Sequence, residues 1–567
     1  MDRTELSGAI IQELGAIFTE ALTIAAPTVL TADLDGVERC LQAMSRQVLG
    51  RVIEQAMAAR VAAADPAPPA CGQCGVTMRC AGRARPRDLQ GLVGDFILRR
   101  PYFLCLACKM GHAPLDVQLG LDGTAVSPAL SRVLARSGVE GAFGTGAEQM
   151  AETLGVVVPE EAVRRTTEGI GAVAEEELQA LIEQARRGEP IAPLSAPTDP
   201  AAPTALVVEL DGIHAPLRTG WQEVKVSRVA PLGPDVRTDP ETRRTHRALG
   251  ASRYPLRGHG GAGLETAEAC WWRAQVLACQ LGLGTSVALV VLLGDGAEWI
   301  WAHARRFLAL PGVELVEIVD LYHAYEHRWA VGNAVFGVGT PTAAGWVEPL
   351  KDRLYEVGAS TVLTALAALA APRGVEPAGA ASATSAGLAL TPEAAEAVRL
   401  ATGYFTTHAA RMDYPRFVGR QLPVGSGAAE SACKLLVGQR AKQAGMRWGA
   451  AGLQAVLSLR AVQRSGDWAA FWQRQPQRRR PPVRARLSLV GATRPSTAPT
   501  TATPMVAPRA LAPAVTPPDP RLALLPEGRH DPSPMVAPPR SAARPTPRRP
   551  AADHPWRFRG RPLARSA

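Results

Sequence analysis

The sequence predicts a multidomain protein of mixed α+β and α/β class, with ordered parts ahead of a loose C-terminal tail. Three observations carry that expectation. The chain's 567 residues exceed what one hydrophobic core usually serves. Two CxxC pairs mark a small module in the N-terminal third. From Thr204 onward, three β-type segments are followed by alternating helix and strand patterns.

The net charge of +10 misleads until it is placed along the chain. Residues 474–567 hold 18 Arg, no Lys and 4 acidic residues, which leaves 44 basic against 48 acidic residues elsewhere. The basicity is therefore local. This tail, 473–567, also holds 21 of the 48 prolines from position 474 on and repeats Pro-Met-Val-Ala-Pro at 504 and 534. A disordered basic segment is expected there, either adding salt-dependent affinity for DNA or standing as an uninvolved extension.

Nine cysteines is an odd number, and the start Met-Asp-Arg-Thr-Glu-Leu lacks the basic flank and apolar run of a secretory signal. The expected compartment is the reducing cytoplasm, in association with the nucleoid. Apolar runs such as Val287 to Leu293 and Val362 to Ala371 fall short of the roughly 20 residues that a bilayer span needs. No membrane role is expected.

Residues 1–66 read as helical, with apolar residues at helical spacing over Leu6 to Gly15 and Leu41 to Ala63 before Asp65-Pro-Ala-Pro-Pro breaks the pattern. Residues 67–115 carry Cys71-Gly-Gln-Cys74 and Cys105-Leu-Ala-Cys108 around strand-like segments, a zinc-ribbon pattern. Four thiolates suit a tetrahedral, structural Zn²⁺. Metal binding supplies on the order of 10 to 16 kcal/mol in small zinc domains, which would fold a segment with so little core. Cys80 and His112 form no second pair and are not assigned as ligands.

Residues 116–187 read as helical. Ala147 to Leu154 and Glu160 to Gly169 flank Gly155-Val-Val-Val-Pro159, which resembles a helix-turn-helix with Arg164 and Arg165 on the second helix as candidate DNA contacts. Plain helical hairpins share this pattern. A Pro-rich linker at 188–203 follows.

In residues 204–472 the expected order is strand Ala205 to Asp211, strand Glu223 to Val229, strand Arg247 to Tyr254, helix Leu264 to Leu281, strand Ser286 to Leu293, helix Glu298 to Leu308 and strand Val313 to Val319. That is the ribonuclease-H-like order, a mixed five-stranded sheet whose first and fourth strands lie side by side. Asp211 and Asp295 would end those two strands, each followed by a glycine that turns the backbone away. A lone Asp-Gly after a strand is more often a turn; the pair at matching positions is the stronger signal. Glu430, in Gly425-Ser-Gly-Ala-Ala-Glu430-Ser-Ala-Cys-Lys434, supplies a third carboxylate near a helix start, and can also form an i,i+4 pair with Lys434.

Three such carboxylates about 4 Å apart would repel by roughly 4 kcal/mol per pair, so the cluster calls for cations. Oxygen ligands point to two Mg²⁺ or Mn²⁺ ions. Asp320 also ends a strand and is a rival for the second ligand; strand count favours Asp295 and leaves Asp320 and His323 to shape the site. Lys434, Arg440, Lys442 and Arg447 are further candidate phosphate contacts. His323-Ala-Tyr-Glu326-His327 also matches H-x-x-E-H, in which two histidines bind zinc in a peptidase, but that reading leaves the cysteine pairs and the three acids unexplained.

Over about residues 70–472 the chain resembles the Kra-type insertion-sequence transposases of bacteria, relatives of the Mutator-like DDE group. The resemblance lies in Val208-Glu-Leu-Asp211-Gly, Trp221-Gln-Glu-Val-Lys-Val226, Gly294-Asp295-Gly-Ala-Glu-Trp-Ile-Trp301, Asp320-Leu-Tyr-His323, Arg411-Met-Asp-Tyr-Pro-Arg-Phe417, the Glu430 stretch and Gly445-Met-Arg-Trp448. It implies an acidic triad of Asp211, Asp295 and Glu430, a D-x-x-H signature at Asp320 and His323, and a helical insertion at about 329–414. The expected activity is metal-dependent cleavage and strand transfer of double-stranded DNA at terminal inverted repeats, by a homo-oligomer. A catalytically inactive DNA-binding derivative is the alternative.

Overall fold

The computed structural model describes residues 3–63, 67–121, 125–194, 202–233, 258–370 and 390–475. Helices α1 (Arg3–Thr31) and α2 (Leu34–Ala63) pack on each other. Arg46 of α2 donates to the Leu92 carbonyl at 2.7 Å and Glu54 accepts from the Ile97 N–H at 2.7 Å, which ties α2 to the segment that follows. There, β1 (Arg79–Arg85), β4 (Arg100–Leu104) and β5 (Gly111–His112) form an antiparallel sheet, and β2 (Asp88–Leu89) pairs with β3 (Phe96–Ile97). Asp116 on the short helix α3 (Pro114–Gln118) accepts from both Arg87 and Arg100.

Helices α4 (Pro128–Glu140), α5 (Phe143–Leu154) and α6 (Glu160–Arg186) come next. The second half of the expected helix pair runs on to Arg186, far beyond Gly169, because its apolar face packs on α4 and on a helix near the C-terminus. Ser and Thr hydroxyls set several helix starts. Ser127 caps α4, Thr266 caps α7 (Ala267–Gln280), Thr340 caps α10 (Pro341–Val357) and Thr391 caps α12 (Pro392–His408), each accepting from a backbone N–H of the first turn.

The central element is a five-stranded mixed sheet of β6 (Ala205–Leu217), β7 (Gly220–Pro231), β8 (His259–Gly263), β9 (Leu289–Gly294) and β10 (Glu314–Val319), in the order β10-β9-β6-β7-β8. β6 pairs in parallel with β9, and β9 with β10; the β6–β7 and β7–β8 pairs are antiparallel. The first and fourth strands of the sheet are thus neighbours, as expected.

One expectation changes here. β6 does not end at Asp211 but continues through Gly212 to Leu217, because its hairpin partner β7 pairs with it along the whole length. The third strand is β8, at 259–263, and the expected strand at Arg247 to Tyr254 lies outside the described residues. So do most of the tail and much of the linker.

Helices α7 and α8 (Glu298–Leu308) share the main core with the buried runs Leu206–Val208 and Val290–Leu293. α9 (Leu321–Phe336), α10, α11 (Ala359–Ala370), α12 and α13 (Tyr414–Gly419) follow β10, and every described residue of the expected insertion is helical or in short connections. α14 (Gly427–Cys433) leads through a π-helical turn into α15 (Gln439–Ala441), and α16 (Ala450–Ser465) and α17 (Trp468–Arg474) close the described chain. A second core joins Leu217, Val224 and Val226 to Cys433, Leu436 and Val456. No helix is long and apolar enough to cross a membrane among the described residues.

α6 and α16 approach so closely that a Cβ on Gly171 would overlap the Ala455 carbonyl. Gly171→Ala is expected to destabilise the protein by about 1 to 3 kcal/mol through this overpacking. Gly169→Ala, on the open side of the same helix with nothing within 4 Å of the new methyl, should stabilise it by about 0.5 to 1 kcal/mol. Denaturant midpoints of the two variants check both signs.

Candidate metal centres

The two CxxC pairs fold into matching knuckles. In the first, Gly75 N–H donates to the Cys71 carbonyl and Cys71 N–H to Val76; in the second, Lys109 N–H donates to Cys105 and Cys105 N–H to Met110. Gly75 and Lys109 occupy the same left-handed position, at φ 72° and 59°. The four sulfur atoms lie within 4.8 Å of one another, with Cys71–Cys108 at 3.3 Å, Cys74–Cys105 at 3.5 Å and Cys74–Cys108 at 3.7 Å. A tetrahedron with Zn–S bonds of about 2.3 Å has edges of about 3.8 Å, so the donor set fits a structural zinc ion. Backbone N–H groups of Gln73 and Cys74 pull the Cys71 thiol down to about 6, while its hydrogen bond with Cys71 pushes the Cys108 thiol up to about 12, as for sulfurs that share protons. Cys80 and His112 stand outside the cluster.

The acidic residues gather at the centre of the large sheet. β6 and β9 keep one register from Ala205↔Leu289 to Glu209↔Leu293, and Asp211 and Asp295 each stand two residues beyond the last pair. Asp211 Oδ1 accepts from the Gly212 N–H at 2.6 Å and Oδ2 from the Cys433 thiol at 3.3 Å. Burial holds the Asp211 carboxyl above its usual range, and the negative charge of Asp295 adds to the shift. Asp295 Oδ1 accepts from Ala297 N–H at 2.9 Å, across Gly296 at φ 102°, a left-handed conformation that suits glycine. Tyr404 donates to the Asp295 carbonyl at 3.2 Å. Glu209, two residues before Asp211 on the same strand face, is buried and spent on an ion pair with Arg228.

Glu430 lies on the first turn of α14, which packs on β6 and β7. Its position three residues before Cys433 puts it on the helix face that meets Asp211. Lys434 pairs with it at 3.1 Å, as the spacing suggests. The three carboxylates do not draw as close as the cysteines: among the described residues only the four-cysteine cluster brings three or more ligand atoms within 4.8 Å.

Asp320 is only 2% exposed, and its oxygens are taken. Oδ1 caps α9 through Tyr322 N–H at 2.7 Å, while Oδ2 accepts from the Ser426 N–H at 3.1 Å, from the Ser426 hydroxyl and from His323. It clamps the end of β10 to the start of α14, a shaping position rather than an open ligand. His323 Nδ1 lies 3.3 Å from Asp320, whose carboxylate raises the imidazole to about 9, so His323 is a cation at neutral pH. His327 stacks on Tyr404 with ring centres 3.7 Å apart, and the H-x-x-E-H pair gathers no third ligand among the described residues.

The candidate DNA-contacting cations divide. Arg164 is met by Glu161 and Glu168, and Arg165 by Glu161, so the acids of the same helix answer both charges. Arg440 is corrected outright: it is 0% exposed, donates to the Gly138 carbonyl at 2.8 Å and lies between Phe143 and Trp448. It is drawn inward by the unpaired carbonyls at the C-terminal end of α4. Lys442 and Arg447 are exposed.

Sequence reasoning missed Cys433 and Ser426 as partners of the acids. The i+3 offset from Glu430 could have pointed to Cys433; nothing local links Ser426 to Asp320 across 106 positions. No family model and no curated protein matches the chain.

One zinc ion per chain is expected by metal analysis of the purified protein, with Cys105→Ser losing it and losing amide-exchange protection over residues 67–121. Full retention of metal by that variant would remove the cluster as its site. The His323–Asp320 pair gives a pH signature. Because the folded pKa of His323 is raised to about 9 from the ordinary 6.5, its stabilisation is complete below about pH 6.5 and lost as pH rises through about 9. Asp320→Asn should flatten that fall in urea midpoints between pH 6.5 and 9 and bring the His323 titration, followed by NMR, back toward its ordinary value.

Proposed function

We propose that this protein is a DNA transposase, a metal-dependent polynucleotidyl transferase of the Kra-type, Mutator-related kind that its motifs resemble, working through Asp211, Asp295 and Glu430 in a ribonuclease-H-like domain. The observation that carries the reading is the parallel pairing of β6 with β9, beyond whose last pair Asp211 and Asp295 each follow by two residues, near enough for the Asp295 charge to act on Asp211. Glu430 approaches from α14 on the Asp211 side. The four-cysteine module is read as a zinc ribbon, and α5 with α6 as a helix-turn-helix-like element, both serving DNA recognition.

The chemistry of the donors suits hard divalent ions: all three are carboxylates, and burial together with the Asp295 charge disfavours the Asp211 carboxylate in a way that a bound cation would relieve. Two Mg²⁺ or Mn²⁺ ions, when bound, would activate an attacking hydroxyl and stabilise the leaving oxygen of an in-line displacement. The chain's own part is positioning. Asp211 and Asp295 are fixed by backbone N–H groups, Asp320 and Ser426 hold the start of α14 so that Glu430 faces the sheet, and the His323 cation adds a fixed positive charge where a phosphodiester would lie.

The test is cleavage of DNA carrying the element's own terminal repeats, with Mg²⁺ or Mn²⁺ against chelator. Asp211→Asn, Asp295→Asn and Glu430→Gln should each lower nicking by at least about a thousandfold, about 4 kcal/mol of transition-state stabilisation, while end binding persists. An intact chain that binds ends and never cuts them, under any metal, would instead be the inactive DNA-binding derivative.

A further inference from the structure

The hairpin that carries Asp211 continues well past it. β6 extends six residues beyond Asp211 to Leu217 before turning at Arg218 and Thr219, a reach of about 20 Å at 3.3 Å per residue. The loop after α15 is laid along this tip. Trp448 N–H donates to the Pro216 carbonyl at 3.1 Å, Arg218 N–H to the Trp448 carbonyl at 2.9 Å, and the Trp448 indole to Ala441 at 3.1 Å.

The docking of loop on hairpin brings four side chains together at the surface. Arg218, Lys442 and Arg447 are exposed and have no acidic partner among the described residues. Trp221 is 61% exposed, which is unusual for so large an apolar side chain, and the Lys442 ammonium lies 5.7 Å from its ring centre. Arg218 and Arg447 also line a cleft of about 570 Å³, together with Arg164, Glu160 and Glu168, the last of these paired with Arg164. Three unanswered cations around an open indole match a polyanion with flat, stackable groups, which is the chemistry of a nucleic-acid strand.

We propose that this hairpin tip is the seat of the DNA strand running away from the catalytic acids. Arg218, Lys442 and Arg447 each take a backbone phosphate, and Trp221 packs against a base. At about 3.4 Å per nucleotide the contact lies about six nucleotides from the bond at Asp211. The assignment rests on the DNA reading above and adds to it where the substrate strand is held.

The experiment uses the full-length Asp211→Asn chain and a fluorophore-labelled duplex, blunt-ended for affinity across a salt series and with a single-stranded overhang for the Trp221 variants, where bases are open to the indole. Arg218→Ala, Lys442→Ala and Arg447→Ala should each reduce the slope of log K against log salt by about 0.9, and the triple variant by about 2.7. Trp221→Ala should weaken binding about tenfold, with Trp221→Phe restoring most of it. An unchanged slope in a triple variant that keeps the parent's thermal transition overturns the surface, as does a parent chain that binds no DNA at low salt. With nicking scored separately on the chain that keeps Asp211, the two proposals separate cleanly: binding through this tip without cutting keeps the surface and loses the catalytic reading, while cutting through the triad with an unchanged slope does the reverse.

Discussion

The parallel pairing of β6 with β9 is the constraint on which the rest of the site depends. Parallel strands at a sheet's centre are buried on both faces, and here the apolar runs Leu206–Val208 and Val290–Leu293 leave no alternative register that keeps them covered. Fixing that register fixes the acids beyond it. A slip of one residue on either strand would send one carboxylate to the opposite face. Glu209 shows the same logic from the other side: it shares the Asp211 face but is the last residue paired with β9, so the fold answers it with Arg228, while Asp211 lies two residues beyond that pairing, held by the Gly212 N–H and the Cys433 thiol.

Buried arginines fasten the helical segment to this sheet. Arg273 of α7 is bidentate to Glu265 and reaches Glu175 of α6, which also accepts from Ser458 of α16. Arg440 and Arg460 donate to the Gly138 and Val139 carbonyls at the end of α4. Each guanidinium is worth little as an isolated attraction, but removing one partner of a buried pair costs about 3 to 5 kcal/mol because the other is left uncompensated. Such contacts resist any loosening of α4 and α6 from the sheet, so recognition by the helices and chemistry at the acids would share one rigid frame.

Much of this was legible in the sequence where the signal is local. The CxxC spacing specified the four-cysteine cluster, and the helix Glu298–Leu308 follows directly from its periodicity. Asp211 and Asp295 were readable because strand order alone makes them neighbours. What escaped is non-local or depends on burial. The end of β6 could not be placed at Leu217 because Asp211-Gly212 looks like a turn until β7 pairs through it. Arg440 looked like one cation in a basic stretch; only the arrival of the end of α4, 302 residues earlier in the chain, makes it a buried cap. The clamp between Asp320 and Ser426 is of the same kind, since only the closed fold brings the two together.

Charge sets the final condition on any polyanionic substrate. Ahead of the tail the chain carries 44 basic against 48 acidic residues, and its sheet centre concentrates carboxylates, so the body as a whole offers DNA no long-range attraction. Attraction has to be local and short-ranged. Most arginines are not free to provide it: Arg164, Arg165 and Arg411 answer acids, and Arg440 and Arg460 answer carbonyls. His323 beside the acids already answers Asp320, and the cations that remain are Arg218 on the same hairpin, about 20 Å away, with Lys442 and Arg447 on the loop docked there. A strand held at that tip would reach the carboxylates with its phosphates already neutralised on that side. That arrangement limits the repulsion to the one phosphodiester at the acids, where bound cations would act.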